Sequence, residues 1–544
     1  MPQLLDRACA RFGASDAAIF AASDIRLSWY DLRQKADDVA AGLLALGIGR
    51  GDRVGIWAPN RAEWLYVQFG TARIGAVLVN INPAYQRAEL EFALNKVQCK
   101  ALVMARSLKS SDYLGMMHTL APELDAAAAN GLGAARLPHL RHVIVLDDAP
   151  VPARALRFAD FLRLAGPAQR ARLDAITATL EPDDAINIQF TSGTTGAPKG
   201  ATLSHFNIVN NARYCAKAIR LSAADRLCVP VPLYHCFGMV LGVLCCAASG
   251  ATMVFPGESF DAEATLAAIA RHKCTALHGV PTMFIAELDH PSFARYDISS
   301  LRTGIMAGAP CPIETMRRVI EQMHMREVTI AYGMTETSPV SFQSCVDDPI
   351  ERRVATVGRV HPHVEVKIVD ETGRIVPIGK SGELCTRGYC VMRGYWEDSE
   401  RSRAAIDEAG WMHSGDLATI DAEGYCNIVG RVKDMLIRGG ENVYPREIED
   451  FLFRHPKVQA AQVFGVPDPR LGEEVCAWIV LKPGQSASAE EIAAFCQGQI
   501  AHYKVPRHIR FVADFPLTAT GKPQKFLMRE AMMRELGRSE AKTA

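Results

Sequence analysis

The segment from Thr191 to Gly200 packs hydroxyls, glycines and one lysine together: Thr191, Ser192, Gly193, Thr194, Thr195, Gly196, Ala197, Pro198, Lys199 and Gly200. Glycines let backbone N–H groups surround an anion, hydroxyls add donors, and Lys199 supplies a mobile positive charge. That chemistry suits a loop around a polyphosphate. It is not the common nucleoside-triphosphate loop, which needs Gly-Lys-Ser/Thr after four spacer residues; Pro198 stands where that glycine would be, and Gly200 follows the lysine. A flexible linker is the competing account of such a composition. Its placement argues otherwise, between an apolar-alternating run (Ile186 to Phe190) and an amphipathic helix (Phe206, Ile208, Val209, Ala212, Cys215).

Further motifs follow in order along the chain. They are Pro232-Leu233-Tyr234-His235-Cys236-Phe237-Gly238, Tyr332-Gly333-Met334-Thr335-Glu336-Thr337 and Trp411-Met412-His413-Ser414-Gly415-Asp416. Gly430-Arg431-Val432-Lys433-Asp434 comes next with Gly439-Gly440-Glu441-Asn442, and Pro516-Leu517-Thr518-Ala519-Thr520-Gly521-Lys522 closes the set. Each has a plain structural account when taken alone. Thr335-Glu336 suits a helix start with an acid in its first turn, Asp416 suits a turn, and Tyr332 suits a core. His235 is equally at home as a structural histidine, Lys433 as a linker residue and Lys522 as a solvated surface lysine.

Together these ordered motifs closely resemble the adenylate-forming superfamily of acyl-CoA synthetases, luciferases and peptide-synthetase adenylation domains. Gly200-Ala201-Thr202-Leu203-Ser204-His205 is most similar to the fatty acyl-CoA synthetase branch, near the medium-chain enzymes. The resemblance implies ATP, Mg²⁺ and CoA: a carboxylate attacks the α-phosphate, and the CoA thiol then takes the acyl group. It implies that Thr191 to Lys199 neutralise the β- and γ-phosphates. Glu336 is then the Mg²⁺ ligand, with Thr335 on phosphate. Asp416 holds the ribose hydroxyls, Arg431 binds ribose or phosphate, Tyr332 stacks near adenine, and Gly308-Ala309-Pro310 borders it. Lys522 is the catalytic lysine between substrate carboxylate and α-phosphate, a point charge on a long stem. Lys433 is the hinge that removes Lys522 and brings Gly439 and Gly440 to the CoA path.

The acyl pocket is expected around His235, Phe237, Gly238, Val280 and Gly333, with His235 as a gate to the carboxylate site. Acetate-specific relatives place tryptophan where this chain has Gly333, so a longer acid should fit. No acidic residue occurs from Leu227 to Gly257, so that stretch offers no partner for a buried ammonium, which disfavours amino acids. An aryl acid remains open, as does transfer from the adenylate to a separate carrier protein. A scaffold that keeps only the fold would have no need for Lys199, Glu336, Asp416, Arg431 and Lys522 together.

These side chains need several domains to position them, since 544 residues exceed what one core supports. The texture predicts a multi-domain α/β protein. A large N-terminal adenylation domain over 1–432 has two parallel-rich α/β parts (about 1–185 and 186–339) and a small β-barrel subdomain (340–430). A smaller, mobile α+β domain covers 433–544. Runs such as Arg53 to Trp57, Ala76 to Asn80, Ala101 to Met104 and His142 to Leu146 read as buried strands.

Acidic and basic residues balance at 60 each, which gives no electrostatic case for nucleic acid. The 15 cysteines lack Cys-x-x-Cys metal spacing and suggest reduced thiols in a cytoplasmic protein. The uncharged stretch from Leu227 to Gly257 is interrupted by prolines and reads as strand, loop and helix rather than as a membrane span. Monomer and homodimer both stay open.

Overall fold

The computed structural model describes residues 1–126, 132–191, 198–309, 311–439, 441–517 and 523–538. The chain separates into two compact units, Met1–Glu365 with Arg387–Met412, and Val366–Thr386 with His413–Ala544. The expected α/β architecture is present. The first unit holds an eight-stranded sheet, ordered Gly394–Tyr395, Lys199–Ser204, Ala185–Thr191, Val77–Asn80, Arg53–Trp57, Ala101–Met104, His142–Val145, Ala155–Arg157. From Ala185–Thr191 to Ala155–Arg157 all neighbours are parallel. Both faces of such strands are covered, which is why Val77–Asn80 and Ala101–Met104 are buried throughout.

A nine-stranded sheet stands in the same unit. Its parallel centre runs Glu327–Gly333, Thr303–Ala307, Ala276–Gly279, Arg226–Cys228, Thr252–Phe255, Asp16–Phe20, with antiparallel strands at both ends. The two sheets do not follow the expected division near residue 185. Asp16–Phe20 and Ile25–Ser28 join the second sheet, while Ala185–Thr191 and Lys199–Ser204 join the first. The chain thus exchanges a segment in each direction, and one large apolar core spans residues of both parts.

Lys199 to Ser204 form a strand antiparallel to Ala185–Thr191, with Thr191 opposite Lys199, so a second strand precedes the amphipathic helix. The amphipathic helix begins only at His205, where Ser204 accepts the Asn207 N–H and Asn207 answers the Ser204 N–H in a capping box. The uncharged stretch resolves into strand Arg226–Cys228, a buried π-helix Phe237–Leu244, a short helix Cys245–Ser249 and strand Thr252–Phe255. No helix among the described residues is long and apolar enough to cross a membrane.

The second unit contains a four-stranded sheet, ordered Val364–Val369, Gly382–Gly388, Met412–Ile420, Cys426–Arg431. Among the described residues its strands follow one another in that order. Beyond it, Val458–Asp468 and Gly472–Leu481 pair antiparallel, with Leu436–Arg438 and His508–Phe511 added to Gly472–Leu481. Helices Pro445–Leu452 and Ala489–Cys496 supply Ile448, Leu452, Ile492 and Cys496 to the core of this part.

Candidate active site

In the first unit three chain-distant segments meet at Glu336. The Thr191 hydroxyl donates to Glu336 Oε1 at 3.2 Å and the Tyr395 hydroxyl donates to the same oxygen at 3.0 Å. Glu336 is 9% exposed and lies in a short 3₁₀ turn, Thr335–Thr337, at the end of strand Glu327–Gly333. Its backbone carbonyl accepts the Met392 N–H at 2.9 Å, which brings the 387–412 segment to it. Burial, followed by the neighbouring Glu336 carboxylate, pushes the Tyr395 phenol well above its ordinary pKa, so it remains a protonated donor. Lys199 Nζ stands 4.9 Å from the centre of the Tyr395 ring, a cation–π distance. Thr335 is buried, with its hydroxyl 3.9 Å from Cys236 Sγ.

This arrangement fits a hard divalent cation. The Thr191 and Tyr395 donors to the carboxylate are both neutral hydroxyls on Oε1, and Oε2 carries neither bond.

His235 lies half-buried in the turn before the π-helix. Its Nδ1 accepts the Phe237 N–H at 3.1 Å, which fixes the ring proton on Nε2. The turn itself hangs on buried amides that the sequence did not advertise. Asn187 Nδ2 donates to Asn80 Oδ1 at 2.9 Å and to the Leu78 carbonyl at 3.0 Å. Gln189 Nε2 donates to Asn187 Oδ1 at 2.9 Å, and Asn80 Nδ2 donates to the Tyr234 carbonyl at 2.9 Å. Asn60 grips the same stretch through the Val231 carbonyl and the Leu233 N–H. Buried polar groups of this kind persist only when paired, so the chain of amides fixes the register of Tyr234 and His235 against the sheet.

Phe237 and Gly238 are buried in the π-helix, and a Cβ on Gly238 would lie 2.4 Å from the Pro232 carbonyl oxygen. Val280 is half-buried, and its Cγ1 lies 3.2 Å from where a Gly308 Cβ would be, so a pocket candidate adjoins a nucleotide candidate. Gly308 has φ +88° and Ala309 follows it; Pro310 lies outside the described residues. Gly333 has a local reason of its own. A Cβ there would stand 1.8 Å from the Pro339 carbonyl oxygen, so the backbone approach already requires glycine, independent of any acyl chain. His278, expected among the pocket surroundings, is fully buried with Nδ1 accepting the Ile305 N–H and Nε2 against the Leu241 carbonyl. Burial pulls its pKa down to about 4, so it is a neutral brace. Tyr332 is half-buried with its ring edge-on to Phe342 at 6.3 Å.

The second unit carries the other predicted nucleotide residues. Asp416 is buried on strand Met412–Ile420 directly opposite Arg431, and Arg431 Nε lies 3.1 Å from Asp416 Oδ1. The Ser414 hydroxyl donates to the Leu384 carbonyl, and the Gly415 N–H donates to Glu383 Oε1, which together shape the turn before Asp416. Lys433 is exposed in the turn after Arg431, and Gly439 (φ +60°) donates its N–H to the Leu471 carbonyl. Ser192, Gly193, Thr194, Thr195, Gly196, Gly440 and Lys522 lie outside the described residues.

The AMP-binding enzyme family matches residues 5–396, and the AMP-binding enzyme C-terminal domain matches residues 447–522. Medium-chain acyl-CoA ligase ACSF2, mitochondrial, of Danio rerio is 49% identical over 98% of this chain and 88% of its own length. Putative acyl-CoA synthetase YngI of Bacillus subtilis is 49% identical over 97% and 96%. Among solved structures, the anthranilate CoA ligase AuaEII in complex with anthranoyl-AMP superposes with a TM-score of 0.85 at 28% identity, over 98% of both chains. The chain belongs to the AMP-binding enzyme family.

Proposed function

We propose that this protein is an ATP-dependent acid–CoA ligase that activates a medium-chain fatty acid as acyl-AMP, releases pyrophosphate, and passes the acyl group to CoA. The observation that carries the reading is the buried Glu336 carboxylate, held by neutral hydroxyls from Thr191 and Tyr395 beside Lys199. A buried carboxylate held only by neutral donors, with a lysine against the same tyrosine, is the setting a metal–triphosphate site requires. Mg²⁺ bound at Glu336 would supply charge neutralisation on the phosphates. Thr191, Lys199 and Thr335 would hold phosphate oxygens; Gly308, Ala309 and Tyr332 would border the adenine. In the second unit Asp416 accepts from the ribose hydroxyls, and Arg431 orients that carboxylate. Lys522 assists the attack of the acid on the α-phosphate.

The domain reading of 1–432 and 433–544, with Lys433 as hinge and Gly439 and Gly440 along the CoA path, belongs to the same proposal. The relatives named for medium-chain acids support the alkyl substrate, as do the apolar residues around Phe237. A reducing compartment such as the cytoplasm suits 15 cysteines, all present as free thiols.

The test is pyrophosphate release with straight-chain acids from acetate to stearate, and with benzoate and anthranilate, each with and without CoA. A maximum at intermediate chain length with a thioester product supports the reading. Preference for the aromatic acids replaces the substrate, adenylate without thioester replaces CoA by a carrier, and no pyrophosphate with any acid defeats the enzyme altogether. Lys522→Ala should abolish adenylate formation while leaving thioester formation from supplied acyl-AMP largely intact. Equal loss in both half-reactions would contradict its role.

A further inference from the structure

Among the described residues, the second unit holds a cluster of metal-binding side chains that the chemistry above uses only through the Gly415 N–H contact to Glu383. Glu383 and Cys385 are two apart on strand Gly382–Gly388, so they share a face, and His413 projects from the neighbouring strand Met412–Ile420. One donor atom from each lies within 4.8 Å of the other two. His413 Nδ1 is 2.8 Å from Glu383 Oε2 and 3.6 Å from Cys385 Sγ. Cys385 is fully buried, whereas Glu383 and His413 are half-buried, which leaves one side open to solvent.

We propose that Glu383, Cys385 and His413 form a binding site for a zinc-type divalent cation, with water completing the coordination. Zinc bonds of about 2.3 Å to thiolate and about 2.0–2.2 Å to imidazole and carboxylate, in a tetrahedron, require N···S near 3.6 Å and N···O near 3.4 Å. The imidazole and thiol already stand at that spacing, and the carboxylate, 2.8 Å from Nδ1, would withdraw from the imidazole to bind. The other Glu383 oxygen accepts the Gly415 N–H at 3.0 Å, an outer contact of the kind that orients a liganding carboxylate. Binding would release the Cys385 thiol proton, place the cation on His413 Nδ1 and leave the imidazole proton on Nε2. Hard cations such as Mg²⁺ would prefer Glu336, because thiolate and imidazole select softer ions. His413 and Asp416 share one strand, so the bound ion would clamp the segment from which Asp416 projects.

A plain account competes: the His413–Glu383 hydrogen bond simply ties two strands, and Cys385 is core filling. Titration of the reduced full-length protein with Co²⁺ separates the two. The expected result is a near-ultraviolet thiolate-to-cobalt charge-transfer band that saturates at one equivalent per chain and is displaced by Zn²⁺. The band should vanish in Cys385→Ala and Cys385→Ser and persist in Glu336→Gln. Glu383→Gln should weaken Co²⁺ binding by roughly 10- to 100-fold. Circular dichroism and melting of each variant without metal verify that the fold is kept; because the two Cys385 variants retain the His413–Glu383 bond, at least one should pass. No band in the wild type, or an undiminished band in a folded Cys385 variant, overturns the site. Failure here would leave the ligase reading untouched, since that reading stands or falls on pyrophosphate release.

Discussion

The two carboxylates assigned to the nucleotide, Glu336 and Asp416, are both nearly buried, yet they are held in opposite ways. Glu336 receives two neutral hydroxyls, from Thr191 and Tyr395. Asp416 faces the guanidinium of Arg431, whose own side chain is half-exposed. A carboxylate propped by neutral donors keeps its whole charge for an incoming cation. One already paired with a cation is better suited to accept hydrogen bonds from uncharged hydroxyls such as those of ribose. The same residue type thus acquires two roles from its partners, and the difference is open to experiment.

The largest effect should come from Glu336→Gln, which preserves shape and removes charge. Pyrophosphate release at saturating ATP should fall by about 10²–10³-fold, the scale of losing one preorganised charge at a reacting phosphate. Asp416→Asn should act mainly on the KM for ATP, since the proposed ribose contact would be made in ground and transition states alike. Steady-state kinetics with ATP varied would check both. If the two substitutions depressed the same parameter to the same extent, the contrast would collapse.

The second region to compare is the support behind each site. The Thr191 strand and its neighbour Val77–Asn80 carry the buried amides of Asn187, Gln189 and Asn80, whose exposures are 1%, 3% and 2%. Replacing Asn187 by leucine would leave Asn80 Oδ1 and the Gln189 amide without their partner. A loss of about 1–3 kcal/mol in stability is expected, measured by denaturant unfolding, with a higher KM for the acid because Tyr234 and His235 lose their anchor. Unchanged acid KM in a destabilised variant would reduce the amide chain to a purely structural feature. Tyr395→Phe should cost less: one of two donors to Glu336 goes and the ring under Lys199 stays, so about a tenfold slower adenylation step is expected, close to one hydrogen bond to a charged group.

The local settings of Glu336, Asp416 and Arg431 were legible because their motifs are local, whereas the nucleotide roles proposed for them rest on the family resemblance. The setting of Tyr395 was not legible, since its contact with Glu336 spans 59 residues and Gly394-Tyr395-Trp396 has no chemical signature of its own. The strand Lys199–Ser204 was missed for a related reason. Gly-Ala-Thr-Leu-Ser has weak strand propensity, and the pairing with Ala185–Thr191 on one side and Gly394–Tyr395 on the other decides it. The exchange of segments between the two large sheets is a non-local choice that periodicity cannot report. Spacing rules also passed over Cys385, because its neighbours Glu383 and His413 come together across two strands, not along one run.

The smallest effect tests the other half of the opening contrast. Arg431 is 51% exposed at its side chain, and an ion pair with one solvated member contributes little to folding. Arg431→Ala should therefore shift stability by no more than about 1 kcal/mol. Its kinetic consequence should be larger than its structural one. Without the guanidinium, the orientation of Asp416 toward a ribose is no longer fixed by Arg431, so the KM for ATP should rise while the melting temperature barely moves. Arg431→Lys should recover charge but not the guanidinium geometry, leaving an intermediate KM. A large fall in melting temperature for Arg431→Ala, with ATP affinity intact, would mean the pair is a brace for the Met412–Ile420 and Cys426–Arg431 strands, and Asp416 would need another partner to justify its place at the nucleotide.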